Sequence, residues 1–192
     1  MTLTVRTLDR ADIERWDAYV NATDAATFFH RAGWMLVLER AFGHRAHFLY
    51  AEDNGIIVAI LPLAEVKSLL FGYSLSSLPF CVYGGIVADT EEAAELLRAE
   101  ACSLAENLQV DALELRNKHS SKSGWPAKEL YFTFKKTIDP DDDVNLKAIP
   151  NRQRAMIRKG IKEGLASEWD DGTQRIYAVY SESVRNLGTP VF

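Results

Sequence analysis

Between Val144 and Lys162 the chain carries six basic residues, Lys147, Arg152, Arg154, Arg158, Lys159 and Lys162, and no acidic one. The chain as a whole has a formal charge of -5, so this cationic block is a local feature of the sequence. Guanidinium and ammonium groups concentrated in this way suit contact with phosphates or another anion. At ~100° per residue, Arg154, Arg158 and Lys162 fall at i, i+4 and i+8 on one side of a helix over residues 151–164. Asn151, Arg152 and Lys159 extend that side, and Met156, Ile157, Gly160, Ile161 and Gly164 fall opposite, with Leu165 following the helix. The pattern predicts a helix that docks its apolar half on a sheet and presents a cationic ridge. Like charges one turn apart repel by a few tenths of a kcal/mol each, and no acid on the ridge offsets them. The acidic balance of the whole chain argues against a general nucleic-acid binder, whose basic footprint dominates its domain, so DNA is not an expected partner.

Other arrangements that carry chemistry are sparse. There is no GxxxxGK[ST], no GxGxxG, no HExxH and no GxSxG frame around Ser76, Ser77 or Ser120 to Ser123. Cys81 and Cys102 sit at no metal-like spacing and read as buried thiols behaving as small hydrophobes. His30, His44, His47 and His119 form no ligand array, so neither a metal nor a resident cofactor is expected. Asp111 and Glu114 lie three apart on an expected strand, face opposite sides and form no dyad. Gly84 and Gly85 follow Tyr83 at the end of an apolar run. They read as a bulge or turn, with close approach of backbone to a ligand as the other option. No catalytic base can be named.

These groups need a scaffold, and 192 residues with 47 % hydrophobic content can hold one generous domain or a domain and the start of another. No apolar run reaches the ~20 residues that span a bilayer, and the N-terminus has no apolar signal-peptide core, so a cytoplasmic location is expected. Residues 2–8 alternate as a strand, and Asp9 caps a helix over about 10–21 that buries Ile13, Trp16 and Val20. A second helix carries Trp34, Leu38 and Ala41 as its stripe, with Met35 and Phe42 beside them, and stops at Gly43. Strands over 44–52 and 56–66 flank an Asp53-Asn54-Gly55 turn. Short strands and turns follow over 68–87. Thr90 opens an amphipathic helix to Leu108, with Ala93, Leu97, Ala101, Leu104 and Leu108 in line. Strands are expected over 110–116, 130–138 and 165–169, with a polar loop over 118–127, an acidic break over 139–143 and a last helix over about 173–187. Hairpins first and a strand–helix–strand unit later imply an α/β protein with a mixed sheet covered by helices.

Several segments together resemble the FemAB family, the aminoacyl-tRNA-dependent peptidoglycan-bridge transferases and their relatives. FFHRAGWMLVLERAFGH resembles the family's aromatic pair and Trp-bearing helix, and AEDNGIIVAILPLAEV its hairpin. LPFCVYGGIVAD resembles its tight turn, and RQRAMIRKGIKEGLASEW the helix punctuated by Arg and Lys. More narrowly, IPNRQRAMIRKGIKEGL and YSESVRNLGTPVF resemble the FemAB-related proteins of exosortase and exopolysaccharide systems. The resemblance implies a GNAT-like fold, with residues 1–170 as a first GNAT-like domain and 171–192 as the start of a second. The apolar ending GTPVF, directly after a helix, fits a piece of a longer protein.

The implied activity is transfer of an acyl or aminoacyl group to an amine of a cell-envelope or exopolysaccharide precursor. The expected partners are an aminoacyl-tRNA or acyl-CoA donor and a phosphate-linked glycan or peptidoglycan precursor. Arg154, Arg158 and Lys162 would hold the anionic partner, and Tyr83, Gly84 and Gly85 would line the acceptor cleft. Family members place a diphosphate-contacting Lys about one turn after the motif Trp. Leu38 stands there in this chain, leaving Arg31 or Arg40 as the substitute. The acyl-CoA signature of simple GNAT enzymes, Arg or Gln followed by xxGxG or xxGxA, is absent. An acyl-CoA N-acyltransferase and a non-catalytic module for an anionic glycan precursor or RNA are the alternatives.

Overall fold

The computed structural model describes residues 3–70, 72–119, 124–128 and 132–191. Thr2, Phe71, Ser120 to Ser123, Leu130, Tyr131 and Phe192, which enter the expectations above, lie outside the described residues. The chain forms two compact units, residues 1–127 and 128–192.

The first unit is built on a mixed sheet. Strand β1 (Leu3–Thr7) leads through a 3-10 turn, capped by the Asp9 carboxylate on the Ala11 and Asp12 amides, into helix α1 (Ile13–Ala22). Helix α2 (Gly33–Phe42) ends at Gly43 with φ 67, the left-handed stop that glycine adopts at no steric cost. Strands β2 (Ala46–Asp53) and β3 (Ile56–Ser68) pair antiparallel across Asn54 and Gly55. Both turn residues have positive φ, 50 and 81, as a two-residue hairpin matched to strand twist requires. Strand β4 (Gly72–Ser77) and the two-residue β5 (Val87–Ala88) both pair antiparallel with β3. Helix α3 (Glu91–Leu108) then crosses to β6 (Ala112–Glu114), which pairs parallel with β4. The order is β1-β2-β3-β4-β6 with β5 on β3. This mixed sheet flanked by helices agrees with the expected α/β class.

Strand alternation divides the core between the two faces. Phe48, Tyr50, Ile60 and Ala64 pack with Trp16, Val20, Met35 and Leu38 from α1 and α2. Leu49, Ala51, Leu61, Leu63 and Leu75 pack with Ala93, Leu97 and Ala101 of α3. Trp16 is fully buried, its indole Nε1 donates to the His30 carbonyl at 2.7 Å, and its ring lies 5.4 Å from that of Phe48. The α2 stripe differs from expectation. Met35 and Leu38 are buried, whereas Ala41 and Phe42 are exposed. Phe42 instead stacks on Phe80 at 4.4 Å, beyond the reach of the sheet core.

The second unit has three helices among its described residues, α4 (Asp142–Lys147), α5 (Asn151–Lys162) and α6 (Gln174–Asn186). Helix α4 takes up the last two residues of the expected acidic break, Asp142 and Asp143, and runs on to Lys147. Asp141 caps it by accepting from the Asp143 amide at 2.8 Å, and the acids at its start suit the positive helix end. The strands expected over 130–138 and 165–169 are not present among the described residues, and Phe132, Phe134 and Trp169 are exposed. A strand forms only where a neighbouring strand takes up its N–H and C=O groups. Helix α5 ends in a Schellman motif: the Gly164 amide donates to Ile161 O (3.1 Å) and the Leu165 amide to Gly160 O (3.0 Å). Its apolar side does not dock as expected, since Met156, Ile157 and Ile161 are exposed.

Candidate functional site

In the first unit a cleft opens beside the place where β3 departs from a regular ladder. Pairing with β2 shifts register between Ala51 and Glu52, which leaves Val58 as the extra residue of a β-bulge. The Val58 carbonyl accepts the Asp89 amide at 2.9 Å and the Tyr19 hydroxyl at 3.0 Å. This fixes the end of β5 and the entry to α3 beside the sheet. Residues 78–86 loop out between β4 and β5, with Leu78 (φ 46) and Phe80 (φ 70) in a region that L side chains rarely occupy. Between this excursion, the start of α3 and the segment after β6 lies a cleft of about 440 Å³. His30, Gly85, Asp89, Glu91, Asn117 and Lys118 are among its lining residues.

His30 holds one wall. Its Nδ1 accepts the Thr27 amide at 3.1 Å, which places the proton on Nε2, and Nε2 donates to the Gly85 carbonyl at 3.1 Å. Burial pushes its pKa below the ordinary histidine value, with Lys118 adding to the same direction. The Thr27 hydroxyl also lies 3.0 Å from Nδ1, so both ring nitrogens are engaged and the side chain pins one segment to another.

Gly84 and Gly85 owe their identity to close approach. A Cβ on Gly84 would lie 2.6 Å from Leu78 Cβ, and one on Gly85 2.7 Å from Asn117 Cα. Their two amides both donate to the Arg116 carbonyl, at 3.1 and 3.0 Å. The approaching backbone is thus the chain's own, and the two N–H groups do not point at the cleft as a free donor pair. Gly85 lines the cleft, and Tyr83 is half-buried. Arg31 sits elsewhere in this unit, where its guanidinium donates to Asn21 Oδ1 (2.9 Å) and Asp17 Oδ2 (3.1 Å). Asp17 also accepts the Ala32 amide, so this ion pair fastens α1 to the start of α2.

The start of α3 is acidic. Thr90 caps the Ala93 amide, and Asp89, Glu91 and Glu92 surround the first turn. Those carboxylates offset the positive helix end and disfavour an anion there. Of the cations nearby, Arg98 is ion-paired with Glu95 while its buried Nη1 makes no hydrogen bond among the described residues, and Lys118 Nζ donates to the Asp24 carbonyl at 3.2 Å. Asp89 accepts from Tyr19 at 2.9 Å, and burial together with that carboxylate pushes the Tyr19 phenol well above its usual range. The electrostatics suit a cationic or amine-bearing guest better than a phosphate. Cys81 is buried and its thiol is pushed up to about 11, so it stays protonated at neutral pH. Among the described residues no group of three or more His, Cys, Asp or Glu is placed to hold a metal. No helix among them is long and apolar enough to cross a membrane.

Arg154, Arg158 and Lys162 lie on α5, in the second unit, whereas Arg31, Tyr83, Gly84 and Gly85 lie in the first. Arg158 and Lys162 are exposed, and Arg154 is half-buried with its guanidinium on Asn151 Oδ1. A further polar cluster escaped the sequence. His47 Nε2 lies 2.7 Å from Glu65 Oε1, and the Tyr73 hydroxyl donates to the other oxygen of that carboxylate. The three residues come from β2, β3 and β4 on the α3 face, and only the strand register could have announced them.

Neither a family model nor a curated protein matches the chain. Among solved structures it is similar to a GNAT family acetyltransferase of Staphylococcus aureus, with 13 % identity over 71 % of this chain and 100 % of that one and a TM-score of 0.46. A ribosomal-protein-alanine N-acetyltransferase of Brucella melitensis biovar Abortus aligns over 90 % of this chain and 97 % of its own, with 13 % identity and a TM-score of 0.45. An acetyltransferase of Trypanosoma brucei gives 14 % identity, 70 % and 100 % coverage and a TM-score of 0.47. Likeness at this level lends no support to an activity for this chain.

Proposed function

We propose that the chain is an acyl- or aminoacyltransferase of the FemAB type, acting on an amine of a phosphate-linked cell-envelope or exopolysaccharide precursor. The observation that carries the anionic partner is the ridge of α5, where Arg158 and Lys162 are exposed and no acid interrupts Asn151–Lys162. The transferase class rests on the motifs that resemble the family. The chemistry is attack of a neutral amine, formed when the acceptor ammonium gives a proton to solvent, on an activated acyl carbonyl. The amide C–N bond forms as the acyl C–O or C–S bond breaks, the released tRNA hydroxyl or CoA thiol takes the proton the nitrogen loses, and positioning and oxyanion stabilisation assist. In this reading the acidic rim of the cleft, Asp89 and Glu91, draws in the acceptor ammonium. Arg154, Arg158 and Lys162 hold the donor's or precursor's phosphates.

A second reading, a non-catalytic module for an anionic glycan precursor or RNA, is favoured by one observation. The Gly84 and Gly85 amides are closed onto Arg116 O and leave no donor pair at the cleft.

The test combines thermal shift with a transfer assay. Aminoacyl-tRNA, acetyl-CoA and a nucleotide-linked peptidoglycan precursor are offered to the wild type and to Arg154→Ala/Arg158→Ala. The proposal expects label transfer to an amine acceptor by the wild type, and at least one ligand whose shift is lost in the double variant. Binding without transfer would leave the binding module. Shifts that are equal in both proteins, or absent from both, would remove the ridge as the site.

A further inference from the structure

Helix α5 is exposed on both its polar and its apolar sides. Met156 (67 % exposed), Ile157 (40 %) and Ile161 (65 %) share one arc, and the Schellman turn folds Leu165 (77 %) back toward Gly160 as its continuation. Cations border this arc on both margins. Around the helix, Arg154 stands next to Ile161 on one side, and Arg152 and Lys159 stand next to Met156 on the other. Arg158 and Lys162 cap the opposite face, and no acidic residue occurs from Asn151 to Lys162. Trp169, a few residues on, is fully exposed.

An apolar protein groove rimmed by acids would need a matching charge at every margin. A sheet of lipid phosphates meets the same requirement at any rotation in its plane, and long basic side chains reach up to it while their stems lie along apolar surface. We propose that α5 is a peripheral docking helix for an anionic lipid bilayer. It lies in the plane of the surface, with Met156, Ile157, Ile161 and Leu165 in the acyl boundary and the flanking cations on headgroup phosphates. The docking concerns the second unit alone and does not depend on the transfer reaction.

Flotation of the full chain with vesicles tests this, using phosphatidylcholine alone against equal parts phosphatidylcholine and phosphatidylglycerol. The expected result is partition onto the anionic vesicles only, weakening with added salt. Arg152→Gln/Lys159→Gln, at the margin of the apolar arc, should lower that partition by about tenfold or more, since each cation near the surface contributes several-fold. Ile157→Ser/Ile161→Ser should lower it comparably. These side chains are exposed, so circular dichroism and the thermal midpoint should be unchanged, which separates lost docking from lost folding. The proposal is overturned if the chain ignores the anionic vesicles, or if the serine pair binds as tightly as wild type. It is likewise overturned if the chain retains a short single-stranded RNA while floating with neither vesicle. Transfer measured in vesicle-free solution reports separately on the enzymatic reading.

Discussion

Protonating His30 should weaken the first unit, because its ring is held in one neutral form between two backbone groups. Nδ1 accepts the Thr27 amide and Nε2 donates to the Gly85 carbonyl, and the residue is only 2 % exposed. A second proton would go onto Nδ1, which would lose the Thr27 amide as its donor and keep only the Thr27 hydroxyl, 3.0 Å away, as acceptor. The folded-state pKa lies below the unfolded value because of burial. The unfolded chain therefore takes up the proton first as pH falls. The His30 contribution is fully present above the unfolded value of ~6.5 and declines below it, by up to about 1.4 kcal/mol per pH unit, until the folded pKa is reached. His30→Gln can keep both backbone bonds without titrating, so it should remove that slope. His30→Ala leaves a buried acceptor and a part-buried donor unpaired and should cost about 2–4 kcal/mol. Urea unfolding read by tryptophan fluorescence suits the measurement, because Trp16, Trp34 and Trp125 all lie in the first unit. Subtracting the glutamine variant from wild type at each pH cancels the other histidines. Equal pH slopes in the two proteins, or an alanine variant as stable as wild type, would refute the assigned tautomer and its role.

Gly85→Ala should destabilise by about 1–3 kcal/mol through overlap with Asn117, whereas Gly33→Ala, with nothing within 4 Å of the new Cβ, should be neutral or slightly stabilising. Thermal melts of the two variants side by side would expose an error in the loop placement. Glu52 accepts from Arg6 Nε at 2.6 Å and Arg15 at 2.8 Å, with its side chain 11 % exposed. The Arg15 contact, seconded by Arg6, holds its carboxyl below the usual range. This stabilisation is present above the unfolded carboxylate value and lost as pH falls. Glu52→Gln should cost about 1 kcal/mol at neutral pH and make the acid limb of an unfolding titration shallower. Gly55→Ala, at φ 81 in the hairpin turn, should cost roughly 1 kcal/mol. A urea midpoint equal to wild type would contradict the turn assignment.

The local elements were legible because their causes are local. Asp9 caps the 3-10 turn that leads into α1 and Thr90 caps α3, Gly43 and Gly164 stop their helices, and Asn54-Gly55 sets the hairpin turn, each through chemistry contained within a few residues. Where a pattern needed a distant partner, the sequence misled. The alternating Phe132 and Phe134 predict a strand, yet a strand exists only if a neighbour takes its backbone groups. The apolar arc of α5 predicts a buried face, although amphipathicity specifies only that two faces differ. The acids at 141–143 read as a break because their capping role depends on the helix that follows.

The candidate cleft belongs almost wholly to the tertiary structure. Gly84 and Gly85 were visible as an unusual pair, but their cause is contact with Leu78 and Asn117. His30 and Gly85 are joined across 55 positions, and Tyr19 and Asp89 across 70. Such meetings follow from a register set by the whole sheet, including the bulge at Val58. By itself the sequence determined α1, α2, α3, α5 and α6, the hairpin and the cationic character of α5, because periodicity, capping and charge act over one or two turns. Which side chains face the cleft, and which apolar faces stay exposed, was decided only when the chain closed on itself, since burial is a property of the packed whole.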